Sequence, residues 1–188
     1  MEELVAQGEA YLDIETTGLS PAEHEITIVG LLKHDGFHAL IAGQTLSVKE
    51  IENVLKDVRK IYTYNGKRFD VPFIRKKMDV DIDAMGIEHE DLMYTCRRRG
   101  LRGGQKKIEI QLCLDRDTRG MSGHHAAHLG KKWLRYKDQE ALGILVHYNE
   151  EDCRNLAKIA SVLREVEFEE EKEHKKKKPA KSKKPTKE

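Results

Sequence analysis

The stretch Ala10-Tyr11-Leu12-Asp13-Ile14-Glu15 decides how this chain is read. As a strand it places Asp13 and Glu15 on one face, two residues apart, together with Tyr11. Like charges this close repel, and Asp and Glu are poor strand formers. Inside a central strand the pair is costly unless something positive sits between the two. A solvent-exposed edge strand would carry the same pair, so both settings stay open on this stretch alone.

Outward from it, Thr16-Thr17-Gly18-Leu19-Ser20-Pro21 leads to the β-branched run Ile26 to Leu32, and His34-Asp35-Gly36 is a turn signal before Phe37 to Ala42. These segments predict an antiparallel three-strand meander. Ile51, Val54, Leu55 and Val58 fall at helical spacing over 48–58. Ile61 to Tyr64 is a short strand ended by Asn65-Gly66, and Phe69 to Met78 is expected to be helical with Pro72 in its first turn. A loop rich in Asp and Gly follows, and Asp91 to Arg98 fits strand or helix equally. Helices are expected at about 105–113, 124–134 and 139–166. Three strands followed by alternating helix and strand define an α/β fold, a mixed sheet of meander plus parallel strands with helices packed on it.

The length, 188 residues, suits one domain. No leader pattern stands near the start and no stretch approaches a membrane span, so a soluble, cytoplasmic protein is expected. Cys96, Cys113 and Cys153 form no C-x-x-C pair, which argues against a disulfide framework or a cysteine zinc site; reduced thiols, at least partly buried, are expected. The net charge of +1 hides a division. Residues 171–188 hold nine Lys and three Glu, leaving 25 basic and 30 acidic residues in 1–170, a charge of about −5. The domain is therefore placed at 1–170 and a disordered Lys-rich tail at 171–188. That tail either adds nonspecific phosphate contacts or is a solvated extension. Carboxylates gathered around cations would explain the acidic body.

The last helix offers independent evidence. Leu142, Leu145, Leu156, Ile159 and Leu163 form its apolar stripe, and Tyr148 and Asp152 fall in the gap of that stripe. The steps from Leu145 through Tyr148 and Asp152 to Leu156 are three, four and four, so a phenol and a carboxylate face the way of the buried leucines. An inward aspartate needs a partner, either a metal or a nearby Arg or Lys. His147 stands five residues before Asp152, displaced from it by about 140° on the helix, so Tyr148 is the preferred neighbour. Asp70 lies where a strand end passes into a helix, a place for an N-cap and equally for a site residue. His124 and His128 at i and i+4 raise a zinc alternative, but no Glu or Cys completes the set. Trp133 and Tyr136 read as core or boundary aromatics.

Taken together these residues resemble the DEDD 3′-to-5′ exonucleases of the ribonuclease H-like superfamily. Asp13-Ile14-Glu15-Thr16-Thr17-Gly18 is similar to their first motif, Tyr64-Asn65-Gly66 with Phe69-Asp70 to their second, and His147-Tyr148-Asn149-Glu150-Glu151-Asp152 to the Tyr-x-x-x-Asp form of the tyrosine subgroup. The three stand in the family's order and frame residues 10–165. The stretch Cys96 to Leu112 further resembles the YprB-type branch of predicted exonucleases.

The resemblance implies two Mg²⁺ or Mn²⁺ ions, with Asp13 bridging both, Glu15 and Asp152 completing the first site and Asp70 holding the second. Hard divalent ions prefer oxygen ligands, and two of them about 3.5 to 4 Å apart stabilise both the attacking and the leaving oxygen. Tyr148 and Glu15 would orient the attacking water, with the phenol a positioning group rather than a base. The expected substrate is DNA or RNA, entering as a single-stranded 3′ end. Thr16 and Asn65 are expected near it, although Asn-Gly is also an ordinary turn. Arg97, Arg98, Arg99, Arg102, Lys106 and Lys107, around Gly100, Gly103 and Gly104, suit backbone phosphates or form a solvated helix end. Two other functions compete, a catalytically silent nucleic-acid-binding module and a nucleotide phosphohydrolase.

Overall fold

The computed structural model describes residues 4–177. Five strands form one sheet: β1 (Glu9–Thr16), β2 (Ile26–Lys33), β3 (Gly36–Ile41), β4 (Lys60–Thr63) and β5 (Glu88–Asp91), in the order β3-β2-β1-β4-β5. The first three pair antiparallel as the expected meander, and β4 and β5 add in parallel. Six helices accompany them: α1 (Val48–Leu55), α2 (Asp70–Met78), α3 (Leu92–Arg98), α4 (Gln105–Gln111), α5 (Gly123–Tyr136) and α6 (Gln139–Lys177).

Strand β1 is central, which settles the first ambiguity. Its Ala10, Leu12 and Ile14 enter a core with Ile51 and Leu55 of α1 and Val71, Phe73 and Ile74 of α2. Tyr11 points the other way, into a core with Leu92, Ile108, Leu156 and Ile159 from α3, α4 and α6. Alternation therefore puts Asp13 and Glu15 on the α6 side of a covered sheet. A third apolar group, Ile28, Ala126, Trp133 and Leu145, binds α5 to the same face, where Trp133 Nε1 donates to Ala42 O at 2.9 Å.

Several sequence expectations need correction. Glu88 to Asp91 forms a strand where a loop was expected, because pairing with β4 holds an edge whose polar side chains show no alternation. The ambiguous segment from Asp91 is helical, with Asp91 capping α3 by accepting from Met93 N. Tyr136 is 66% exposed rather than core, and Cys113 is exposed rather than partly buried. Helix α6 runs to Lys177, through the first seven residues of the stretch expected to form a tail; 178–188 lie outside the described residues. Among the described residues no helix is long and apolar enough to cross a membrane.

In the β1–β2 register Asp13 faces Gly30. Asn149 of α6, fully buried, occupies the space a side chain at 30 would take: a Cβ there would lie 1.8 Å from Asn149 Oδ1. Replacing Gly30 with Ala is expected to cost about 1–3 kcal/mol, as overpacking does, and to lift Asn149 off Asp13. Urea denaturation of Gly30→Ala, compared with Gly143→Ala at an exposed position with open space around it, measures this.

Candidate active site

Asp13, Glu15 and Asp152 each offer a carboxylate oxygen within 4.8 Å of the others. The first two come from β1 and the third from α6, as period two on a strand and the Tyr148–Asp152 step on a helix require. Asn149, one turn before Asp152, donates Nδ2 to Asp13 Oδ2 at 2.8 Å and to Asp13 O at 3.3 Å. Its Oδ1 is buried with no hydrogen-bond partner among the described residues. Burial, and then the charges of the neighbouring carboxylates, hold Asp13 and Glu15 well above the usual carboxylate range. Such crowding is what a cation relieves, and an all-oxygen set of this size fits a hard divalent ion.

Asp70 is not one of that trio, but its charge acts on both Asp13 and Glu15. It is the first residue of α2 rather than its cap, the N-cap being Phe69 with no side-chain bond. The β1–β4 register ends at Tyr11 and Tyr62, so β1 beyond it has a free edge, and Asp70 Oδ1 takes the Ile14 N–H there at 3.1 Å. Burial lifts Asp70 to about 7, with Asp91 and Asp152 adding to the rise and the Ile14 N–H opposing it. Asp91, also buried, accepts from Asn65 N at 2.8 Å, Lys67 N at 3.2 Å and Met93 N at 3.1 Å. It thereby braces the turn that delivers Asp70, with Asn65 in a left-handed conformation at φ 65°.

Tyr148 is buried and His147 is exposed, as the helical spacing requires. Burial, then the charges of Asp152, Glu15 and Asp13, raise the phenol above its ordinary range, so it stays protonated. Lys106 of α4 donates to the Tyr148 hydroxyl and lies 4.1 Å from the ring centroid. Gln105, beside it, donates to Asp152 O at 2.9 Å.

The alternative partner of Asp152 is present too. Arg116, from the loop between α4 and α5, donates to Asp152 Oδ1 while holding buried Glu109 through Nε at 2.7 Å and Nη2 at 2.6 Å. Asp152 is thus both ion-paired and part of the carboxylate trio. Glu151 binds the same loop through Asp117 N and Thr118. Asn149, Arg116, Glu109 and Asp91 escaped the sequence reading. Asn149 had a signal, its place one turn before Asp152 on the buried stripe, while Arg116 lies in a loop without periodicity.

The other sequence candidates are scattered. Thr16 is buried and donates to Gly18 O at 2.7 Å; it lines a cavity of about 360 Å³ with Glu15, Phe69 and His124. Arg97, Arg98, Arg102 and Lys107 are exposed, and Arg99 is half-buried. Tyr64 fixes their loop by donating to Gly103 O at 2.7 Å. His124 and His128 are exposed, and no metal-like group among the described residues includes them.

The five-stranded mixed sheet with one carboxylate pair on its central strand and a third from the last helix defines a ribonuclease H-like fold. A model of the RNase_H superfamily matches residues 10–164, and the chain belongs to that family. No curated protein matches it. Among solved structures, the family B DNA polymerase of the archaeon Pyrobaculum calidifontis superposes at a TM-score of 0.66 with 14% identity, over 84% of this chain and 24% of the polymerase. The chain thus spans about a quarter of that protein's length. Brucella melitensis NrnC bound to pGG gives 0.60 and 14%, over 93% of this chain and 81% of that one. The catalytic core of RRP6 from Trypanosoma brucei gives 0.59 and 11%, over 88% and 43%.

Arg116→Met strands Glu109 and Asp152 as buried charges and is expected to destabilise the fold by about 3–5 kcal/mol, whereas Arg119→Met on the exposed Arg119–Asp115 pair changes it by under about 1 kcal/mol. Chemical denaturation of both variants checks the contrast. Asp70 binds its proton more tightly folded than unfolded, so its contribution is fully present below about pH 4 and is lost as pH rises through about 7. In EDTA the Tm is expected to fall across that window, and Asp70→Asn to flatten the fall.

Proposed function

We propose that this chain is a metal-dependent nuclease of the DEDD tyrosine subgroup, trimming DNA or RNA from a single-stranded 3′ end with its 1–170 domain. The observation that carries this is the approach of Asp13, Glu15 and Asp152 to within 4.8 Å beside the buried Tyr148. Asp13, Glu15 and Asp152 would hold one divalent ion and Asp13 with Asp70 a second, Mg²⁺ or Mn²⁺, which when bound supply Lewis-acid stabilisation of the phosphoryl oxygens. The Mg²⁺ bound by Brucella melitensis NrnC is consistent with that choice.

The chain's own residues would do the rest. The Tyr148 hydroxyl and a Glu15 carboxylate oxygen orient the attacking water from two sides, and Tyr148, holding its proton, acts by position rather than as base. Lys106, against that hydroxyl, presents positive charge to the scissile phosphate. Asn149 restrains Asp13, and Asp91 restrains the turn before Asp70. Arg97, Arg98, Arg99, Arg102 and Lys107 draw the backbone in, while Thr16 and Asn65 stand near the terminal nucleotide. The stretch 96–112, which carries most of these cations, also supports the YprB-type branch within the subgroup.

The test uses 5′-labelled single-stranded DNA, RNA and a duplex with a recessed 3′ end, incubated with wild type and Asp13→Ala in Mg²⁺, Mn²⁺ or EDTA. A ladder shortening from the 3′ end is expected, absent in EDTA. It should slow at least about 100-fold in the variant, since loss of even the outer partners of metal ligands costs 10- to 100-fold. Internal cuts would replace the polarity. Binding without cutting under any metal would replace the enzyme with a binding module, and hydrolysis confined to mononucleotide esters would make it a nucleotide phosphohydrolase.

A further inference from the structure

Arg116 is not one of the cluster's carboxylates, yet every N–H group it has is spent beside them. Its Nε and Nη2 hold the two oxygens of Glu109 at 2.7 and 2.6 Å, Nη2 also donates to Asp152 Oδ1, and Nη1 reaches Thr118 Oγ1 at 3.2 Å and Glu151 Oε2 at 3.4 Å. No N–H remains for a phosphate, so the side chain is not placed to bind substrate. Nor is it free to swing away. The loop that carries it is tied to α6 by Asn155, which donates to Asp115 O at 3.3 Å, and by Glu151, which accepts from Asp117 N and Thr118 N. Gln105 completes the frame, donating to Glu109 Oε1 at 3.1 Å and to Asp152 O at 2.9 Å.

The consequence falls on the oxygens left to a cation. Asp152 Oδ1 is committed to a guanidinium that cannot lose its charge, so a divalent ion chelating both oxygens of Asp152 would share one of them with a second cation. Asp152 is thereby confined to one open oxygen, Oδ2. Neutral donors draw on the other aspartates in the same way: Asn149 takes Asp13 Oδ2 and the Ile14 N–H takes Asp70 Oδ1. Carboxylates that each offer a single oxygen make a site with few protein ligands. Mg²⁺ accepts that, because it is small, holds to octahedral geometry and keeps several of its own waters beside one or two carboxylates. Ca²⁺ is larger, takes about 6 to 8 oxygens, and commonly fills that count with a carboxylate bound through both of its oxygens.

We propose that Arg116 is a positioning residue that makes Asp152 a one-oxygen ligand, and that it thereby sets the cluster's choice of cation, for a small ion that keeps its waters and against a large one such as Ca²⁺. The inference rests on reading the cluster as a divalent-cation site and deepens it by naming the class of ion the site refuses and the residue responsible. Glu109 serves the same end at one remove, since its two oxygens fix the plane of the guanidinium that meets Asp152.

Removing Arg116 alone strands Glu109, so the variant that tests this replaces both, Glu109→Met with Arg116→Met, exchanging a buried ion pair for apolar bulk with no net change of charge. Kd values for Mg²⁺ and Ca²⁺ are read by competition with Mn²⁺, whose free fraction gives an EPR signal. In the double variant Mg²⁺ is expected to weaken about tenfold, as loss of an outer partner of a ligand does, and Ca²⁺ to hold or tighten, so the ratio of the two constants shifts at least about tenfold toward Ca²⁺. Arg154→Met, which removes a nearby exposed arginine of α6 paired with Glu150, leaves the ratio unchanged. An equal change for both ions in the double variant, which a merely structural role would produce, overturns the inference, and so does no change for either; both results leave metal-dependent cutting, and with it the nuclease reading, untouched. If the double variant does not fold, judged by the near-UV CD of Trp133, the wild type decides. Crystallised with Mn²⁺, it is expected to give one oxygen of Asp152 to the ion and keep the other on Arg116; both oxygens on the ion, with Arg116 displaced, overturns the inference. A wild type with that geometry that cuts no nucleic acid leaves the inference standing and removes the nuclease. One that binds none of the three ions removes the two together.

Discussion

How closely a helix approaches a sheet is set by what stands between them, and here the deciding position holds no side chain. Gly30 lies beside Asp13 across the β1–β2 ladder, and the room it leaves is filled by Asn149. With Asn149 seated on the sheet and bonded to Asp13, the next turn of α6 carries Asp152 to within reach of Asp13 and Glu15. Any larger residue at 30 would hold the helix away, and carboxylates from two distant parts of the chain would no longer meet.

Bringing them together raises an electrostatic difficulty that the rest of the site answers. Burial and mutual repulsion push Asp13, Glu15 and Asp70 toward protonation. The compensation is unequal. Asp152 has Arg116, itself held by Glu109, so the helix contribution is neutralised from behind by a fixed internal pair. Asp13 and Glu15 have the Asn149 amide and the field of Lys106, and no side-chain cation within ion-pair distance among the described residues. The uncompensated side of the cluster is the strand side, where a divalent cation would gain most. Buried ion pairs of the Glu109–Arg116–Asp152 kind add little net stability over an apolar core. What this one does is fix where Asp152 sits.

Much of this was legible in the sequence, for particular reasons. The meander followed from β-branched runs broken by a turn signal, and the three acidic positions followed from two periodicities, two on β1 and three-to-four on α6. The same periodicity chose Tyr148 over His147. What escaped had no period to betray it. Arg116 and Asp91 act through side chains sent from a loop and from the end of a short strand, and their importance depends on which backbone comes near. β5 was hidden because its four residues are polar throughout and its existence rests on backbone pairing with β4. Glu109 was invisible for the opposite reason: a Glu in a helix is ordinary, and only burial makes this one notable.

β5 carries a further implication. An outermost strand of open backbone is a template on which a second chain can add, and proteins that keep long apolar edges risk association through them. Here the edge is four residues long and its sequence is Glu-His-Glu-Asp, with Lys60 of β4 bridging Glu88 and Glu90. Its service to the molecule is concentrated in its last residue, Asp91, which ties the β4–α2 turn in place. A strand kept for the carboxylate at its end can be short and charged everywhere else, and such an edge is a poor surface for another copy of the chain to extend.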